Sequence, residues 1–196
     1  VARELVALLE RQVVLTIAAG IRLADLSRWL GGYRRLVRAM PNTPALIGAG
    51  IAGLFALPGV DSDGRTRAAA VLEAVGGTLW CEAEEDLDAV TAISGSGPAY
   101  VFYFLEALDA AARELGFEPA HARRLALATF SGAIRLVEQS DSEPAVLRAQ
   151  VTSKGGTTER AVAALDEARV ADAIKAAVKA AAARSEELGR LFGDES

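Results

Sequence analysis

Residues Glu84–Tyr100 read EEDLDAVTAISGSGPAY, and the character of the chain changes across them. Acidic residues crowd the beginning, where they favour the positive end of a helix. Four small residues, Ser94 to Gly97, then interrupt the helical pattern. Pro98 restarts it at a first helical position, where no amide needs a partner. Upstream, short β-branched runs alternate with amphipathic ones. Downstream no strand pattern recurs, alanine rises and helical periods take over.

Upstream, ARELVALLER (Ala2–Arg11) reads as an amphipathic helix and VVLTIAAG (Val13–Gly20) as a buried strand ending in small residues. LADLSRWLGG (Leu23–Gly32) is a helix stopped by glycines. RLVRAMPNTPALI (Arg35–Ile47) begins as a strand and breaks at Pro41. GIAGLFALP (Gly50–Pro58) is strand-like. DGRTRAAAVLEAVGG (Asp63–Gly77) is a helix with a two-glycine stop, before the strand TLWCE (Thr78–Glu82). Strands alternating with helices predict an α/β sheet covered on both faces.

Downstream, helices are expected from Pro98, from Ala120 to Gln139, from Glu143 to Val151, from Thr157 to Ala168 and from Val170 to Phe192. The first has Val101, Phe102, Tyr103, Phe104 and Leu105 in succession, so it is apolar around most of its circumference. In the last, Val170, Ile174, Ala177, Val178, Ala181, Leu188 and Leu191 trace one stripe. The fold class is therefore α/β then all-α, with the boundary near Glu84: residues 1–84, then residues 85–196.

Composition excludes several functions. Of 196 residues, 52% are apolar, which argues against disorder. Net charge is −5 with no basic cluster, so nucleic acid is not an expected partner. No apolar run is long enough to span a membrane. The lone Cys81 forms no intramolecular disulfide, which fits a reducing cytoplasm. The lone His121 lies in EPAHARR, on the expected exposed first turn of a helix. A site of two histidines is impossible and no metal is expected. Chemistry here must rest on hydroxyls, backbone amides or a cofactor.

The loop VTSKGGTTER (Val151–Arg160) carries such groups. The first amides of a helix have no partner inside it, two glycines admit a ligand closely, and Ser153, Thr157 and Thr158 add hydroxyls. That makes a small anion site of carboxylate or phosphate size. The same residues also fit a plain helix–helix linker capped by Thr157, and spacing alone leaves both readings open. SGSGPAY (Ser94–Tyr100) reads first as a helix break with tight packing; a phosphate nest is the second reading. Ala18–Gly20 and Met40–Pro44 each end a strand, where open α/β sheets bind ligands. Small residues there leave room for a flat ring, and the Asn42 amide can bond to a carboxamide.

In order, VVLTIAAG, RAMPNTP, EEDLDAVTAISGSGPAY and VTSKGGTT resemble pyrroline-5-carboxylate reductase, the last enzyme of proline biosynthesis, over essentially the whole chain. The resemblance implies a Rossmann domain on NADPH or NADH and a helical domain that interlocks in a homodimer or a multiple of it. It implies hydride transfer to the imine carbon of 1-pyrroline-5-carboxylate. It assigns a catalytic role beside the ring nitrogen to Thr158. Gly156, Thr157 and Thr158 amides, joined by the Ser153 hydroxyl, would hold the substrate carboxylate. Ala18, Ala19, Asn42 and Gln150 would approach the cofactor. The family's Gly-x-Gly-x-x-Gly fingerprint is absent, and the chain opens on Val1 within a helical pattern. The expectation is that the N-terminal part carrying it is missing. A non-catalytic dimerisation module and a related cyclic-imine reductase are the alternatives.

Overall fold

The computed structural model describes residues 2–194. The chain divides into two compact units, residues 1–98 with 177–196, and residues 99–176.

The first unit is built on four strands, β1 (Val14–Thr16), β2 (Leu36–Met40), β3 (Gly50–Ala56) and β4 (Gly76–Trp80), hydrogen-bonded in that order. Its helices are α1 (Ala2–Leu5), α2 (Leu23–Trp29), α3 (Ser62–Glu73) and α4 (Asp86–Val90). The two central strands are covered on both faces, as the alternation predicts. Val37, Ala39, Ala52, Leu54 and Ala56 meet Ala68 and Leu72 of α3 on one face. Leu36 meets Leu23 and Leu30 on the other. Leu23, Leu36 and Leu54 are wholly buried, each contributing about 2 kcal/mol of hydrophobic stabilisation.

Several details depart from the sequence reading. The first helix is shorter than expected: α1 stops at Leu5 and a 3₁₀ turn, Val6–Leu8, follows. The strand expected over Val13–Gly20 is three residues long and half-buried. Gly76 and Gly77 do not merely stop α3; they open β4. There Gly76 has φ 155°, and a Cβ on it would lie 2.0 Å from the Gly50 carbonyl oxygen. β1 and β2 are parallel, as are β3 and β4, but β2 and β3 are antiparallel. Their connection holds only a 3₁₀ turn, Thr43–Ile47, and a parallel return needs a crossover of a dozen or more residues.

The acids of the opening stretch do more than face a helix dipole. Asp88 is buried in α4, where it pairs with Arg22 and accepts from the Ser185 hydroxyl at 2.7 Å. Glu84 accepts from the Leu23 amide at 2.8 Å and from Arg38 at 3.0 Å. Arg38 is 2% exposed in the middle of β2. A buried guanidinium is tolerable only when paired, so this network holds β2, α2, α4 and α9 (Val170–Asp194) as one body. Here α9 contributes its second half, from Ala177. Close approach matters as well: a Cβ on Gly20, itself at φ 74°, would lie 2.6 Å from Phe192. A π-helical turn, Thr91–Gly95, follows α4.

The second unit holds most of α5 (Gly97–Glu114), then α6 (Pro119–Glu138), α7 (Pro144–Gln150), α8 (Thr157–Glu167) and the first turns of α9. Prolines open α6 and α7 as their fixed φ favours. His121 is exposed on the first turn of α6. Among the described residues of this unit, Ala122 and Ala126 are the buried ones. Phe102, Tyr103, Leu115, Ile134, Leu136 and Val151 are all more than half exposed.

Candidate functional site

The glycine loop is built from the end of α7 to the start of α8. Gln150 is the last residue of α7 and is exposed. The Thr152 hydroxyl turns back and donates to the Arg148 carbonyl at 2.6 Å. Gly155 takes φ 74°, a conformation that favours glycine, and nothing lies within 4 Å of where its Cβ would be. Gly156 is the N-cap, with φ −85° and ψ 170°. Its amide donates to the Ser153 carbonyl at 3.0 Å. A Cβ on Gly156 would lie 2.7 Å from the Ser153 hydroxyl oxygen. Gly155 is thus favoured by backbone conformation, whereas a side chain at Gly156 would press on Ser153, whose hydroxyl and carbonyl oxygens would lie 2.7 and 3.0 Å from its Cβ.

No side chain caps α8, so the linker in which Thr157 caps the helix is not what forms. Thr157 is the first helical residue, and its amide and that of Thr158 donate to no group among the described residues. Ser153 and Thr157 are exposed and Thr158 is half-buried. Free amides at the positive end of an eleven-residue helix, with hydroxyls beside them, can hold one carboxylate. The Gly156 amide, expected to join them, is already used by Ser153. Sequence reading missed Glu159, whose carboxylate accepts from the Gly155 amide at 2.6 Å. An acid three places past the cap is the signal that marks it.

Ala18, Ala19 and Asn42 belong to the sheet unit. Thr16 pairs with Arg38 in the parallel ladder of β1 and β2, so Ala18 and Asn42 follow the C-terminal ends of neighbouring parallel strands. Ala18 and Ala19 are exposed. The Ala18 amide donates to the Thr16 hydroxyl at 3.2 Å. Asn42 is held on both sides of its amide. Its Nδ2 donates to the Ser94 hydroxyl at 3.1 Å, and its Oδ1 accepts from the Ile51 amide at 3.0 Å. Sequence reading had not joined Ser94 to Asn42, which lie 52 positions apart. The tight-packing reading of SGSG holds at Gly95, where a Cβ would lie 2.9 Å from Met40 Cε, but not at Gly97, where nothing lies within 4 Å. Cys81 is a poor nucleophile, since burial and then Asp86 push its thiol pKa up. No group of three or more metal-ligating side chains forms among the described residues. No helix there is long and apolar enough to cross a membrane.

A Rossmann-type sheet with small residues at its strand ends, followed by helices carrying an amide-rich loop, defines a two-part α/β and all-α protein. A family model described as pyrroline-5-carboxylate reductase dimerisation matches residues 84–188. The chain is 45% identical over 187 residues to the pyrroline-5-carboxylate reductase of Pseudomonas aeruginosa, spanning 95% of this chain and 68% of that protein. It is similar in structure to the Coxiella burnetii pyrroline-5-carboxylate reductase, with TM-score 0.89 and 38% identity over 95% of this chain and 70% of that one. It is also similar to Plasmodium falciparum pyrroline carboxylate reductase with NADP bound, with TM-score 0.90 and 29% identity over 96% of this chain and 76% of that one. The chain belongs to the pyrroline-5-carboxylate reductase family.

Proposed function

We propose that this protein reduces 1-pyrroline-5-carboxylate to L-proline with NADPH or NADH. The observation that carries the reading is the pair of unbonded amides, Thr157 and Thr158, at the start of α8 in a chain of this family. A carboxylate bound there has its charge met by the helix end and by the Ser153 and Thr157 hydroxyls. The Thr158 hydroxyl donates toward the ring nitrogen. A cyclic imine so held needs a hydride at carbon and one proton at nitrogen, and most of the acceleration comes from orientation.

A nicotinamide cofactor supplies the hydride when bound. Ala18 and Ala19 fit its ring end, since both are exposed beside a strand end and carry nothing beyond Cβ. Asn42, fixed by Ser94 and Ile51, keeps one N–H and one lone pair for a carboxamide. Gln150, exposed at the end of α7, is the remaining cofactor contact in this reading.

The division into a cofactor part, 1–84, and a helical substrate and dimerisation part, 85–196, is supported by the family match from residue 84. Homodimerisation, or a multiple of it, is supported by the apolar surface of the second unit. A groove between α5 and α6, lined by Phe102, Leu105, Asp109 and Leu127, stays open in one chain, and the buried Asp109 Oδ1 has no donor there. A cytoplasmic location follows from the same reading, since both cofactor and lone thiol suit a reducing compartment.

The test is oxidation of NADPH and of NADH by the full-length protein with 1-pyrroline-5-carboxylate. Formation of L-proline supports the reading, and the ratio of the two kcat/KM values assigns the cofactor. No proline with either cofactor overturns it and leaves a non-catalytic dimerisation module.

A further inference from the structure

Glu159 is the third residue of α8 and folds back on the loop that precedes it. In a capping box the acid at this position bonds the amide of the N-cap. Here the N-cap is Gly156, and its amide is taken by the Ser153 carbonyl at 3.0 Å. The Glu159 carboxylate reaches one residue further and accepts from the Gly155 amide at 2.6 Å. Gly155 sits at φ 74° in open space, so no packing holds it. The turn is fixed by two hydrogen bonds, one of them accepted by a carboxylate side chain.

We propose that Glu159 is a positioning residue of the carboxylate site: it holds the Gly155 turn so that the Thr157 and Thr158 amides stay open to the substrate carboxylate. The proposal rests on the reading of the loop given above. It has an opposing effect to overcome, because a second carboxylate beside an anion site repels the ligand. Both groups are exposed, so water and salt screen that repulsion. The geometry imposed by the hydrogen bond is not screened, and an unpinned glycine turn samples many conformations. Holding the turn is therefore the larger effect. A Glu159→Gln change separates the two, since it keeps an acceptor oxygen at the same reach and removes the charge.

The experiment measures L-proline affinity by calorimetry and steady-state kinetics with 1-pyrroline-5-carboxylate on the full-length protein. Glu159→Ala is expected to raise the proline Kd and the substrate KM about 5-fold, the value of one such bond. The cofactor KM should stay at the wild-type level, which a general loss of folding would not allow. Glu159→Gln should restore affinity to within about 2-fold. Wild-type affinity in Glu159→Ala, tighter binding in both variants, or equal loss in both overturns the proposal. The backbone amide resonances of Thr157 and Thr158, followed during proline addition to wild-type protein, keep the two ideas apart. Resonances that stay in place overturn the carboxylate reading itself. Resonances that move, with an unaltered Kd in Glu159→Ala, overturn the role of Glu159 alone.

Discussion

Ser185 of α9 donates its hydroxyl to Asp88 of α4, 97 positions away, and both are buried. Arg22 closes the other side of the same carboxylate. Removing Asp88 leaves the Ser185 hydroxyl without its acceptor and Arg22 with the Glu84 carbonyl at 3.4 Å. Loss of one partner of a buried pair costs about 3–5 kcal/mol, and partial exposure of Arg22 places Asp88→Ala near the lower figure. Ser185→Ala should cost about 1 kcal/mol. Denaturation midpoints at a fixed protein concentration check both. A midpoint for Asp88→Ala equal to wild type would show that the network carries no stability.

A pH effect comes from Asp61, the N-cap of α3. Its carboxylate accepts from the Gly64 amide at 2.7 Å and from Arg35 at 3.2 Å. These contacts, the amide first, hold its pKa below the ordinary carboxylate value. The folded pKa is depressed, so the unfolded chain binds the proton more readily. The contribution is full above the unfolded pKa, about 4, and is lost as pH falls through the lower folded value. Asp61→Asn keeps a capping oxygen without the charge and should flatten this part of the acid limb of the stability profile. An acid limb identical to wild type would exclude Asp61 from it.

Thr158→Ala is expected to lower kcat by roughly 10²-fold, the usual weight of a positioned proton donor. A half-buried hydroxyl in the first turn of α8 carries little packing, so the far-ultraviolet circular dichroism should not change. A rise in KM alone would assign Thr158 to substrate binding.

Gly156→Val should abolish L-proline binding and leave cofactor binding in place. The backbone there is extended and tolerates a branched residue; the new Cβ would lie 2.7 Å from the Ser153 hydroxyl and 3.0 Å from its carbonyl oxygen, which turns the hydroxyl away from the loop and shifts the turn. Calorimetry that finds normal proline affinity in this variant would reduce the loop to a linker. Gly155→Ala acts differently, through backbone strain at φ 74° in open space, and should cost about 1 kcal/mol of stability.

Sedimentation equilibrium should find a dimer, or a multiple of one, down to low concentration. The surface left by Phe102, Tyr103 and Leu115, at 58%, 71% and 81% exposed, has the character of half a core. A well-folded monomer at micromolar concentration would contradict this.

The helices were legible because their ends are written in local chemistry: Pro119 and Pro144 open α6 and α7, and Gly155 and Gly156 precede α8. The sense of β3 was less legible. Alternation alone suggests crossovers, and the brevity of the turn after Pro41 is what reverses the chain. Arg38 in LVRAM and Asp88 in LDAV are charges set in apolar runs, a sign of buried pairing whose partners no local pattern names. At the candidate site the glycines and hydroxyls of the loop stand out in the sequence, but their spacing left linker and anion site open, and the use of the Gly156 amide by the Ser153 carbonyl could not be read there. A hydrogen bond between near neighbours depends on torsion angles that the glycines leave free.

The second unit keeps almost no interior to itself, and this gives its folding a molecular order. Helices that bury little beyond Ala122 and Ala126 would, in the proposed dimer, gain their hydrophobic stabilisation in an encounter between chains. After dilution from denaturant, the sheet should regain structure at a rate independent of protein concentration. The helices should regain theirs at a rate that rises with it. On the proposed dimer, folding of these helices is a bimolecular reaction, and the abundance of the protein becomes one of the variables that sets its shape.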